Sequence, residues 1–160
     1  MGETVTVWRP RASYSKIIVS RSILAETLDA LRRFGLVENI VYWAGVEERD
    51  HARIIRLIEP EAHRTRRYVH VDGEEVARIV NEVYERGEVL IVQLHTHPAA
   101  EDHSETDECG TVSKRKGFIS LVVPFYALLS KPEAPLWFGY ELQAEGWLEF
   151  DVTERLVAND

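Results

Sequence analysis

Residues 89–98 read Val-Leu-Ile-Val-Gln-Leu-His-Thr-His-Pro. The apolar run from Val89 to Leu94 follows Gly87 and is rich in Val, Leu and Ile, which predicts a buried strand. Pro98 has no N–H to give a ladder and ends it. Side chains alternate across a strand, so His95 and His97 share one face at a spacing that suits a single metal ion. Downstream, Ser104-Glu105-Thr106-Asp107 reads as a helix start, with the serine oxygen capping a free N–H. Two imidazoles and the Asp107 carboxylate, with a fourth position left for water, are the ligand types of a catalytic rather than a structural zinc. His95, His97 and Asp107 are therefore the candidate metal ligands.

Outward from this stretch, helices and strands alternate. Ile17 to Val19 predicts a short strand leading into a helix. Ser22 is a candidate cap of that helix, Leu24, Leu28 and Leu31 recur at helical spacing, and Gly35 is the stop. Val37 to Gly45 is a strand rich in β-branched and aromatic residues. A polar turn, Glu47 to Asp50, then leads to a strand from Ala52 to Ile58. The charged piece Glu61 to Arg67 predicts a loop, and Tyr68 to Val71 a short strand. Asp72-Gly73-Glu74-Glu75 has the spacing of a capping box. It precedes an amphipathic helix through Val76, Ile79, Val80, Val83 and Tyr84 that stops at Gly87. Phe118 to Val123 is a strand cut by Pro124. Leu136 to Leu142 and Trp147 to Val152 alternate around Ala144-Glu145-Gly146, a hairpin signal. Two long helices with six to eight strands predict an α/β or α+β sheet with helices packed on it.

Bulk properties narrow the classes. The 160 residues fit one domain, and 45% apolar with 29% charged residues is ordinary globular composition. A net charge of −8 argues against general affinity for nucleic acid or an anionic membrane. The short basic clusters at Arg64 to Arg67 and Lys114 to Lys116 read as solvated faces. A single cysteine, Cys109, excludes an intramolecular disulfide. No stretch reads as a signal peptide or reaches membrane-spanning length, so a cytoplasmic protein is the expectation. His51, His63 and His70 carry no recognisable spacing and read as surface residues. His103 reads as an exposed loop residue, and Trp43, Trp137 and Trp147 as packing.

These residues resemble the JAMM (MPN-plus) metalloproteases. That family carries an upstream glutamate, then His-Ser/Thr-His-Pro, then a loop and Ser-x-x-Asp. His95-Thr96-His97-Pro98 and Ser104-Glu105-Thr106-Asp107 match the two motif parts. Glu38, opening the strand that ends in Ala44-Gly45, stands where the family has its glutamate. Ile119 to Pro124 is similar to the strand after the metal helix in prokaryotic members. The resemblance spans roughly Ser15 to Val152, which divides the chain into an arm or edge strand over 1–14 and one domain over 15–160. Five residues separate Pro98 from Ser104, where the family usually has six.

The resemblance implies a mixed, curved β-sheet with helices packed on it, the three-layer MPN domain that is similar to cytidine deaminases. It implies one Zn2+, Glu38 as general base and Ser104 as a support for the carbonyl oxygen. It further implies cleavage of an amide bond after the C-terminal tail of a ubiquitin-like protein, as deconjugation or precursor processing. Partners would then be a ubiquitin-like protein or its conjugates and the associated activating and conjugating enzymes, with no nucleic acid or membrane. Two other readings stand beside this: a non-catalytic MPN scaffold, and a peptidase for a small adduct on a sulfur-carrier protein. From the residues alone, Ser104 could serve only as a cap and Glu38 only as a solvated strand-start residue.

Overall fold

A computed structural model describes residues 14–99, 115–131 and 136–160. The strands are β1 (Lys16–Ser20), β2 (Ile40–Glu48), β3 (His51–Ile58), β4 (His63–Thr65), β5 (Tyr68–His70), β6 (Val89–Thr96), β7 (Ile119–Val123), β8 (Phe138–Gln143), β9 (Gly146–Phe150) and β10 (Leu156–Asn159). The described helices are α1 (Arg21–Arg32), α2 (Gly73–Glu85) and the short α3 (Val152–Arg155). Eight strands form one mixed sheet in the order β10-β1-β3-β2-β6-β7-β8-β9, and β4 and β5 form a separate two-stranded hairpin.

Strand β2 shows how the layers arise. Val41 and Trp43 face one side with Leu24, Leu28 and Leu31 of α1, while Ile40, Tyr42 and Ala44 face the other with Ile79 and Val83 of α2. Alternation on one buried strand thus feeds two apolar layers, with a helix covering each. On the α1 side the Trp43 indole N–H donates to Thr27 Oγ1 at 2.9 Å, so its one polar atom is satisfied in the core. Between β2 and β6 the register shifts after Trp43, so that Ile91 and Val92 both join the α1-side core. That bulge resets the alternation of β6, with Leu90 turned towards α2.

Several elements differ from the sequence-based expectation. Ser20, not Ser22, caps α1, its hydroxyl oxygen accepting from Ile23 N–H at 3.1 Å. Glu47 and Glu48 lie within β2, and the turn tightens to Arg49 and Asp50, with Arg49 at φ 60°. The piece expected as a loop contains β4, which pairs with β5 through His63↔His70, Arg64↔Val69 and Thr65↔Tyr68. Asp72 does stand at the start of α2, but no capping box forms. Its carboxylate instead meets His63 Nε2 at 3.1 Å and His70 Nε2 at 3.4 Å, while Glu75 engages Arg78 and the Glu61 amide. Strand β9 ends at Phe150, Val152 opens α3, and the chain then runs beside β1 in parallel as β10. No described helix is long and apolar enough to cross a membrane.

Candidate metal centre

Register brings the candidate residues together. Strands β2 and β6 are antiparallel, with Ile40 opposite His95, Val41 opposite Leu94 and Tyr42 opposite Gln93. Asn39 and Glu38 immediately precede β2, as His97 immediately follows β6. Opposed residues share a face, so His95 lies with Ile40 on the α2 side of the sheet. All three polar residues are buried, at 8% exposure for Glu38, 3% for His95 and 4% for His97. The two imidazoles lie 4.9 Å apart between ring centroids with their planes at 61°.

The backbone around them is held from both sides. Thr96 N–H donates to Asn39 C=O at 3.0 Å, and Asn39 N–H donates to Thr96 Oγ1 at 2.9 Å. The threonine between the histidines, wholly buried on the opposite face, thereby locks the end of β6 to the start of β2. Asn39 is a second lock: its Nδ2 donates to Ala30 C=O at 2.9 Å, and its Oδ1 accepts from Ile40 N–H and Arg64 Nε. Glu38 N–H donates to Thr65 C=O at 2.8 Å, which joins the candidate base to the β4–β5 hairpin. Behind the histidines, Gln93 Nε2 donates to Ser120 Oγ at 3.2 Å. Burial, and then the nearby Glu75 charge, push the Tyr42 phenol well above its ordinary pKa, so that hydroxyl stays protonated.

On the far side, β7 runs parallel to β6 and ends at Pro124. His97 N–H donates to Val123 C=O at 3.0 Å, and His97 C=O accepts from Tyr126 N–H at 2.9 Å. Phe125, Tyr126 and Ala127 hold φ of 56°, 53° and 64°, three successive non-glycine residues in the left-handed region. Each such residue costs about 1 kcal/mol or more, so the surrounding contacts must over-determine the turn. Arg32, at the end of α1, does this by donating to Ala127 C=O at 2.8 Å and Ser130 C=O at 2.5 Å.

The donor chemistry fits a zinc ion: two imidazoles turned to one face, in a buried setting that favours partnered polar groups. Among the described residues no three His, Cys, Asp or Glu side chains gather closely enough to hold a metal. Asp107, the expected third ligand, lies outside the described residues, as do Ser104, His103 and Cys109. Asn39 and Tyr126, which bond the backbone at the ends of β2 and β6, were missed by motif reasoning. Neither has a spacing signal, and each acts through backbone partners far away in sequence.

No family model matches the chain. Two solved structures align over nearly all of it. A Desulfitobacterium hafniense protein known from its solution structure has a TM-score of 0.68 at 16% identity, covering 90% of this chain and 93% of that one. A JAB1/MPN domain protein from Archaeoglobus fulgidus has a TM-score of 0.51 at 18% identity, covering 89% of this chain and 98% of its own. The fold is that of a JAB1/MPN domain. Within this MPN fold, His95 lies in the central strand β6 with His97 just past its end, and Glu38 leads into its neighbour β2. A curated relative, probable metalloprotease y4jG of Sinorhizobium fredii, is 35% identical over 94 residues, or 56% of this chain. The chain spans 58% of that relative's length.

Proposed function

We propose that this MPN domain is a JAMM-type zinc metalloprotease that cleaves an amide bond after the C-terminal tail of a ubiquitin-like protein. One observation carries the reading: Glu38 and the two motif histidines, far apart in sequence, are all buried where β6 ends and β2 begins, joined there by the Thr96 N–H to Asn39 C=O bond. The fold likeness and the name of the Sinorhizobium relative support it.

His95, His97 and Asp107 would hold the ion, which as a Lewis acid polarises a carbonyl and makes water a usable nucleophile near neutral pH. Glu38 accepts the proton of the attacking water and returns it to the departing amine, a role suited to a carboxylate beside the ligands. The Ser104 hydroxyl donates to the carbonyl oxygen as charge builds there. The substrate class, its conjugating enzymes as partners and a cytoplasmic setting are carried by the motif resemblance, and the tail would be processed from a precursor or released from a conjugate.

The test is zinc stoichiometry with cleavage of a ubiquitin-like protein carrying a C-terminal extension. Wild type should hold one equivalent of zinc and cut, and His97→Ala should lose the metal. Glu38→Gln should keep the metal and lose cleavage by about 10²-fold or more. No zinc uptake by wild type would sink the enzyme reading and leave an MPN scaffold. Full activity in Glu38→Gln would remove Glu38 as the base. Turnover of a single-residue adduct on a sulfur-carrier protein, but not of longer extensions, would redefine the substrate.

A further inference from the structure

We propose that Tyr126 is a positioning residue that sets Glu38 against the two histidines through the β4–β5 hairpin. The inference rests on Glu38 being the base of the proposed reaction. Three hydrogen bonds form a chain around the site. Tyr126 N–H donates to His97 C=O at 2.9 Å. Tyr126 OH donates to Arg66 C=O at 2.8 Å, at the tip of the hairpin. The preceding hairpin residue, Thr65, accepts at its carbonyl from Glu38 N–H at 2.8 Å. Glu38 in turn adjoins Asn39, whose carbonyl accepts from the N–H of Thr96, the residue between the histidines, at 3.0 Å. One tyrosine thus ties the histidine strand to the hairpin that holds the backbone of the base.

The conformation of Tyr126 supports a role beyond filling space. A left-handed turn of three non-glycine residues directly follows the β7 proline, and it brings the Tyr126 N–H to His97 while the phenol reaches Arg66. Arg32 clamps the carbonyls of Ala127 and Ser130, so the turn is held independently of the hairpin. The hairpin itself has only three-residue strands. A unit that small is marginal alone and takes its position from what it docks on. Its docking bonds at the site end are those to Glu38 and Tyr126, together with the Arg64 side chain on Asn39.

Tyr126→Phe removes the hydroxyl and leaves the ring and the turn in place. The expected result is unchanged zinc content and thermal midpoint, with exchange of the Glu38 amide about five-fold faster, the share of an equilibrium that one ordinary hydrogen bond holds. kcat should fall by a similar factor with KM unchanged, because the base moves while the substrate contacts remain. Unchanged Glu38 exchange overturns the proposal, as does a uniform rise over all sheet amides, which marks global loosening. Unchanged kcat in the zinc-loaded variant, or a rise in KM alone, overturns it too. If wild type neither binds zinc nor cleaves, the proposed function fails, and the exchange measurement alone still decides whether Tyr126 positions Glu38.

Discussion

Thr96→Val should destabilise the protein through one atom. Valine keeps the shape and β-branching of threonine, so strand preference and volume are nearly unchanged. The hydroxyl that accepts from Asn39 N–H at 2.9 Å is lost. Asn39 is 1% exposed, so water cannot replace the missing acceptor. Stranding a buried donor costs about 1–3 kcal/mol, and about 2 kcal/mol is the expectation here. For a chain of this size that corresponds to a fall of roughly 4–8 °C in Tm. Thr96→Ser keeps the acceptor and loses one buried methyl, a cost of about 1 kcal/mol. Urea unfolding of the three proteins should rank them wild type, Ser, Val, with an unchanged slope against denaturant. Amide exchange should accelerate at Asn39 in the valine protein and not in the serine protein. A valine protein as stable as the serine protein would refute the reasoning. The lock between β2 and β6 would then reside in the backbone pair alone.

Two further outcomes concern the scaffold. Burial, and then the hydrogen bond to Glu47, push the Tyr14 hydroxyl up to about 12, against about 10 for an unfolded chain. The native state therefore binds that proton more tightly, and stability is fully present below about pH 10 and falls towards about pH 12, by on the order of 2–3 kcal/mol. Unfolding midpoints at about pH 9 and about pH 11 should diverge in wild type and less in Tyr14→Phe, where that titration is absent and only the raised Tyr42 hydroxyl still contributes. Gly45→Ala should cost on the order of 3 kcal/mol, because a Cβ there would stand 1.9 Å from Arg53 C=O at the β2–β3 bulge. A calorimetric Tm equal to wild type would show that the bulge adapts.

Much of this architecture was legible because its signals are local. Val89 to Leu94 reads as a buried strand whatever surrounds it, and the spacing of Leu24, Leu28 and Leu31 defines a helix face. The hairpin around Ala144 and Glu145 forms where its alternation and turn residues place it. Other elements were illegible for a physical reason. Strand β4 is charged, three residues long and without alternation, and it exists only because β5 and Glu38 offer it hydrogen-bond partners. Asp72 has capping-box spacing, yet two histidines brought near by the hairpin engage its carboxylate instead. Strand β10 depends on a parallel partner nearly the whole chain away.

The same division runs through the candidate site. That His95 and His97 share a face follows from strand periodicity and a proline stop, both local to residues 89–98. The sequence also supplied Ser104 and Asp107 as motif residues. That Glu38 and His97 come to the same end of the sheet depends on the pairing of β2 with β6, whose register neither strand sets alone. Thr65, Asn39 and Tyr126 meet Glu38, Thr96 and His97 through carbonyl and amide groups that every residue carries and no sequence pattern marks.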